Sequence, residues 1–163
     1  MRSTLIVHER LARWNRRLRH RVDGWGARIV ESRSVDDLAA AANTSSPVVL
    51  IDPAGSPRAA FDALLTVRRV APQALVLVID EAMPADFLVA AREAGATLIL
   101  PSTSTMPVVF DLIRRWLELA RLRSQADGWA AGRRVDPEPW ESLLRDEDRE
   151  DLSVTPNRTP TAI

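Results

Sequence analysis

Short runs of β-branched and aliphatic residues alternate along the chain with longer stretches in which apolar residues recur every three or four positions. Leu5-Ile6-Val7 predicts a strand, and Arg10 to Val22 predicts a helix carrying Leu11, Trp14, Leu18 and Val22 along one side. Asp23-Gly24 and Gly26 end that helix. Ala27 to Val30 predicts a second strand, and Ser34 an N-cap for the alanine-rich helix VDDLAAAA. A third strand is expected over Val48 to Ile51 and a helix from about Pro57 to Val70; a fourth strand follows over Leu75 to Ile79. A helix from Pro84 to Ala94 is closed by Gly95, Thr97 to Leu100 predicts a fifth strand, and a last helix runs from about Thr105 to Leu122. Pro57, Pro84 and Pro107 fall near the first turns of three of these helices, where a missing N–H costs nothing.

Strands alternating with helices in this way imply an α/β fold: a doubly wound five-stranded parallel sheet with right-handed crossovers and helices on both faces. The third and fourth strands are unbroken apolar runs, as central strands covered on both sides require. The expected strand order is 2-1-3-4-5, and ligands of such sheets sit at the carboxyl ends of the strands. Those ends are His8-Glu9, Asp52-Pro53, Asp80-Glu81 and Pro101-Ser102. The pattern lapses after Arg123, so residues 1–123 are read as one domain and 124–163 as a mostly disordered acidic tail containing proline. Within the tail a short helix is expected over 138–150, with Trp140, Leu143 and Leu144 on one side as a motif that docks on a protein partner or on a basic face of this same chain.

Composition narrows the chemistry. The 163 residues carry 22 basic and 22 acidic side chains, so no global field draws the chain onto nucleic acid or an anionic membrane. There is no cysteine and no apolar run of membrane-spanning length, and a cytoplasmic location is the expectation. Every basic residue is an arginine; lysine is absent. No Gly-rich phosphate loop follows the first strand, and no serine sits in a nucleophile elbow. With no histidine beyond His20 to complete a triad, the chain reads as a non-enzyme.

The order and spacing of LIVHE, VVLID, LVLVID and AREAGATLILP resemble the receiver domain of two-component response regulators, over residues 3 to about 122. The resemblance implies a flavodoxin-like, receiver-like fold and a site in which Asp52 is the phospho-acceptor. It implies that Glu9 is one member of an acidic pair holding a divalent cation, whose other member is here His8, a ligand suited to softer metals than Mg2+. The lysine expected after the fifth strand is replaced by Leu100-Pro101, or by the equally uncharged Ser102, and arginine differs from lysine in reach and geometry. The hydroxyl position after the fourth strand falls on Asp80 or Ile79, and the aromatic position of the fifth strand falls near Ile99. Glu9, Asp52 and Asp80 would then form an acidic pocket that repels a phosphoryl donor. The pattern points to a degenerate, or pseudo-, receiver: a signalling or scaffolding module acting through protein contacts, with no cofactor. Two alternatives stay open, a phospho-accepting regulator in which Asp52 and Glu9 bind Mg2+, and a structural subunit of a larger assembly.

Other conspicuous residues have simpler readings. His8 lacks a second histidine or cysteine at ligand spacing and reads as a surface or capping residue, and His20 as exposed. The arginines of Arg10 to Arg21 read as the outer face of an amphipathic helix, and no DNA-reading element follows. Trp14 and Trp116 lie on helical core faces, Trp25 in a turn and Trp129 in the tail, while Ser102 to Thr105 read as loop and N-cap residues. A homodimer through the face of the fourth helix, fifth strand and fifth helix would include Arg92, Arg114 and Arg121.

Overall fold

Strands as apolar as VVLID and LVLVID are stable only when helices cover both of their faces, and the chain supplies those helices. The computed structural model describes residues 2–44, 46–53, 56–80, 85–101 and 103–132, with backbone alone at 80, 85 and 127–132. Five strands, β1 (Thr4–Glu9), β2 (Arg28–Ser32), β3 (Val48–Asp52), β4 (Leu75–Asp80) and β5 (Leu98–Pro101), alternate with five helices. These are α1 (Arg13–Gly24), α2 (Val35–Ala42), α3 (Pro57–Val70), α4 (Ala85–Glu93) and α5 (Met106–Gly132). The sheet is parallel throughout, in the order β2-β1-β3-β4-β5 expected from the pattern.

Period-two alternation sends Leu5, Val7, Val48, Leu50, Leu77 and Ile79 to one face, where Trp14, Leu18 and Val22 of α1 meet Val109, Ile113 and Leu117 of α5. Ile6, Val49, Ile51, Val76 and Val78 point to the other face and pack on Leu38, Leu64, Val67, Phe87 and Ala91 from α2, α3 and α4. Every residue of β3 is buried, so the strand that carries Asp52 is fixed from both sides. Ser34 caps α2 by accepting from the Asp37 N–H at 3.1 Å, and Ser56 caps α3 by accepting from the Ala59 N–H at 3.3 Å. Gly95 leaves α4 at φ +117°, a conformation that a Cβ would strain, which explains the glycine between α4 and β5.

Two boundaries differ from the pattern. The first helix begins at Arg13 rather than Arg10, and Leu11, expected on its apolar side, is 73% exposed. The cause is Ala12, which takes a left-handed φ of 49° as the residue before the helix and turns the chain away from helical continuation. At the other end α5 does not stop near Leu122 but continues to Gly132, with the Ser124 hydroxyl donating to the Ala120 carbonyl at 3.0 Å. The chain divides into two units, Met1–Gly128 and Trp129–Ile163, and the second is described only over 129–132, which are helical. Trp140, Leu143, Leu144 and the helix expected over 138–150 lie outside the described residues.

Candidate functional site at the carboxyl ends of the strands

Glu9 and Asp52 end β1 and β3 in direct register, so the parallel ladder sets the two carboxylates side by side on the α1 and α5 face of the sheet. Both are buried, at 1% and 5% exposure. An isolated carboxylate at that depth would cost several kcal/mol, so each must be held by donors. The sequence supplies them from the first turn of α1.

Glu9 is engaged by that helix. Its Oε2 accepts the Trp14 N–H and its Oε1 the Asn15 N–H, both at 2.7 Å. Helix starts need acceptors for their free N–H groups, and Ala12 in the capping position makes no side-chain hydrogen bond. A carboxylate from the preceding strand takes over that task and also meets the positive end of the helix dipole. Asp52 is engaged by the first helical side chain. Arg13 donates to Asp52 Oδ2 from Nε at 3.2 Å and from a terminal nitrogen at 2.8 Å, with 34% of the arginine side chain exposed.

His8 is separated from this pair by the pleat. Consecutive strand residues face opposite ways, so His8 points toward α2 while Glu9 points toward α1. Ser32 Oγ donates to the Ser34 carbonyl at 3.1 Å, which leaves His8 Nδ1 as the donor to Ser32 Oγ at 3.0 Å. Burial lowers the His8 pKa from its ordinary 6.5, and the nearby Asp37 carboxylate opposes the shift in part. A cavity of about 170 Å³ opens between these groups, lined by His8, Arg10, Ser34, Asp52 and Asp62 among others.

These residues do not fit a divalent cation as they stand. Both Glu9 oxygens are committed to backbone donors, Asp52 Oδ2 is shared by two nitrogens of Arg13, and His8 faces away. Among the described residues no group of three His, Cys, Asp or Glu side chains is arranged to hold a metal ion. Asp80 closes β4 with its backbone in register with Pro101, and its side chain lies outside the description, as do Glu81 and Ser102. The end of β5 offers no cation: Leu100 packs toward α1 and α5, and Pro101 is exposed. Ile99 packs against the α2, α3 and α4 side.

No family model and no curated protein matches the chain. Solved structures do. The signal receiver domain of a Luxo repressor protein from Vibrio parahaemolyticus superposes with TM-score 0.62 at 16% identity, covering 77% of this chain and 98% of its own. A CheY-like response regulator receiver domain from Methanospirillum hungatei gives 0.63 at 10% identity, covering 74% and 98%. The chain has the receiver fold. A response regulator from Burkholderia pseudomallei, solved with a phosphorylated aspartic acid, a calcium ion and citrate, gives 0.58 at 16% identity and covers 90% and 85%.

Within the receiver fold, sequence reading brought Glu9 and Asp52 to one place, and the structure brings them there in register. It missed Arg13, which lies 39 positions from Asp52 and carries no local mark of its partner. A signal for Glu9 did exist: Arg10-Leu11-Ala12 offers no capping side chain, so the helix needed an acceptor from elsewhere. Arg114 and Arg121 correct an expectation as well. Spaced two helical turns apart, they line a second cavity of about 250 Å³ with Ser3, Gly24 and Trp25, on the side of α5 turned toward α1 rather than toward α4. Trp25, read only as a turn residue, packs edge-on against Phe110 at 6.4 Å, and Trp14 and Trp116 pack in the same cluster. The α1 arginines are mostly exposed, with Arg17 over Trp14 and Arg21 over Phe110. Among the described residues no helix is long and apolar enough to cross a membrane.

Proposed function

We propose that the chain is a non-enzymatic signalling or scaffolding module that uses the receiver fold to bind other proteins, without conventional phosphorylation of Asp52. The observation that carries this reading is the Arg13–Asp52 contact at 2.8 Å, an internal cation on the acceptor position. Glu9 supports it, because releasing that carboxylate for a metal would strip the cap from α1. The absence of lysine supports it further, since no lysine side chain is available for phosphoryl oxygens. A cytoplasmic location goes with this role. In the chain beyond the described residues, Trp140, Leu143 and Leu144 are the proposed contact for a protein partner.

Asp52 favours one second reading, a phospho-accepting regulator, because it ends β3 beside Glu9 as an acceptor would. The two readings separate on incubation of the full chain with acetyl phosphate and Mg2+, followed by intact-mass measurement. The proposal expects no phosphoryl adduct. An adduct that disappears in Asp52→Asn would establish the second reading instead.

A further inference from the structure

The cavity of about 250 Å³ beside α5 opens at the amino ends of the strands, away from Glu9 and Asp52. The length of β1 separates the two places by about 20 Å, at about 3.3 Å per residue from Ser3 to Glu9. Three segments wall the cavity: Ser3 ahead of β1, the turn at Gly24-Trp25 between α1 and β2, and one side of α5. Hydrogen bonds tie these walls down. Ser3 Oγ donates to the Leu117 carbonyl at 3.0 Å, and the Ser3 carbonyl accepts the Arg28 N–H at 2.8 Å. The Trp25 N–H donates to the Val22 carbonyl at 3.0 Å, and Gly26, at φ +68°, turns the chain directly into β2. Trp25 is half-buried and packs edge-on with Phe110, whose ring is covered by the Arg21 guanidinium at 4.6 Å. A ligand would therefore meet walls that the fold has already ordered.

The lining has the chemistry of a receptor for a small anion that carries a planar ring. Arg114 and Arg121 stand seven residues apart on α5, about 10.5 Å along the helix, so two long side chains can close on one phosphate between them. Both are exposed, and neither makes an ion pair among the described residues. Arg2 precedes Ser3 and Arg28 is joined to it through the backbone, so four arginines gather at this end of the sheet against Asp23 and Glu118. Trp25 supplies an aromatic surface for a base, and Leu117 an apolar floor. Glu118 narrows the choice of phosphate. It stands four residues after Arg114 and three before Arg121, where a run of phosphates would meet a like charge. A carboxylate in that place suits the hydroxyls of a ribose, whose O–H groups it can accept. The volume also favours a compact ligand, since drug-sized molecules fill about 300–1,000 Å³.

We infer that this cavity binds a purine nucleoside monophosphate, with the phosphate on Arg114 and Arg121, the ribose hydroxyls on Glu118 and the base against Trp25. Asp52 has no part in it, so the inference is independent of how that residue is used. Its test is isothermal titration calorimetry of the full chain with adenosine 5′-monophosphate at low ionic strength, repeated with ATP and with inorganic phosphate. The monophosphate should bind at one site with a Kd of about 10–500 µM, the range open to a ligand of this size. Inorganic phosphate should bind at least about 10-fold more weakly for want of the ring, and ATP no more tightly than the monophosphate. Arg114→Gln with Arg121→Gln should raise the Kd by about 10-fold or more, and both positions are exposed, so far-UV circular dichroism should be unchanged. Trp25→Leu should weaken the monophosphate by about 10-fold without weakening phosphate, and Trp25→Phe, which keeps a ring, should restore most of that loss. Arg92→Gln, an exposed arginine of α4 on the other face of the sheet, should change nothing. No saturable binding of the monophosphate below about 5 mM, binding indifferent to the Arg114 and Arg121 changes, equal loss in Arg92→Gln, or phosphate or ATP binding more tightly than the monophosphate would each overturn the inference.

Discussion

Replacing Glu9 by alanine tests whether this carboxylate is a helix cap or a free ligand. The substitution removes two charge-assisted hydrogen bonds of 2.7 Å from a side chain that is 1% exposed. A lost N-cap costs about 1–2 kcal/mol, and hydrogen bonds to charged groups run to about 1.5–3 kcal/mol each. Water can reach part of a vacated helix end, so the expected loss is about 3 kcal/mol rather than the full sum. Glu9→Gln keeps one acceptor oxygen but turns an amide toward the other N–H, and should lose about 2 kcal/mol. With a urea m-value of about 2 kcal/mol/M, the alanine variant's midpoint should fall by about 1.5 M at unchanged slope. The reasoning fails if Glu9→Ala unfolds within about 0.5 kcal/mol of wild type. It fails equally if millimolar Mg2+ stabilises the wild type and that gain disappears in the variant, because Glu9 would then be a ligand.

Three further outcomes follow from the same geometry. A double-mutant cycle on Arg13→Ala and Asp52→Asn should give a coupling of about 1 kcal/mol by urea unfolding, a modest figure because the arginine side chain is 34% exposed and screened by solvent; a zero coupling would remove Arg13 as the cation on Asp52. His8 has a folded-state pKa below its ordinary 6.5, so the unfolded chain binds the proton more readily; stability is full above pH 6.5 and falls as pH drops through the lowered value, and His8→Gln should flatten that stretch of a stability-against-pH curve. Ser34→Ala removes the acceptor for the Asp37 N–H and should lower the thermal-unfolding free energy by about 1 kcal/mol, whereas Ser34→Asp should leave it nearly unchanged.

The parts of the fold that were legible in the sequence are those written in local pattern. Unbroken apolar runs named β3 and β4 as central strands, and Ser34 and Pro57 marked where α2 and α3 begin. Leu11 misled because its spacing to Trp14 and Leu18 is helical, while Glu9 reaching over the first turn starts the helix at Arg13. The reach of α5 was hidden because the apolar pattern lapses after Arg123; Ser124 to Ala126 give no stop, and a single glycine inside a helix, such as Gly128, costs only about 1 kcal/mol against alanine. The site was half legible. Strand ends located Glu9 and Asp52, but pairing of Asp52 with Arg13 depends on the start of α1 coming beside the end of β3, a tertiary event with no period or spacing of its own. The pleat that parts His8 from Glu9 was available in principle, since neighbours in a strand face opposite ways.

The central claim is that Asp52 is held by the protein's own arginine and does not serve as a phosphoryl acceptor. Its most direct measurement is a calorimetric titration of the full chain with beryllofluoride in the presence of Mg2+, repeated with Asp52→Asn. The account predicts no saturable heat from either protein. Saturable binding to the wild type that is lost in Asp52→Asn would contradict it.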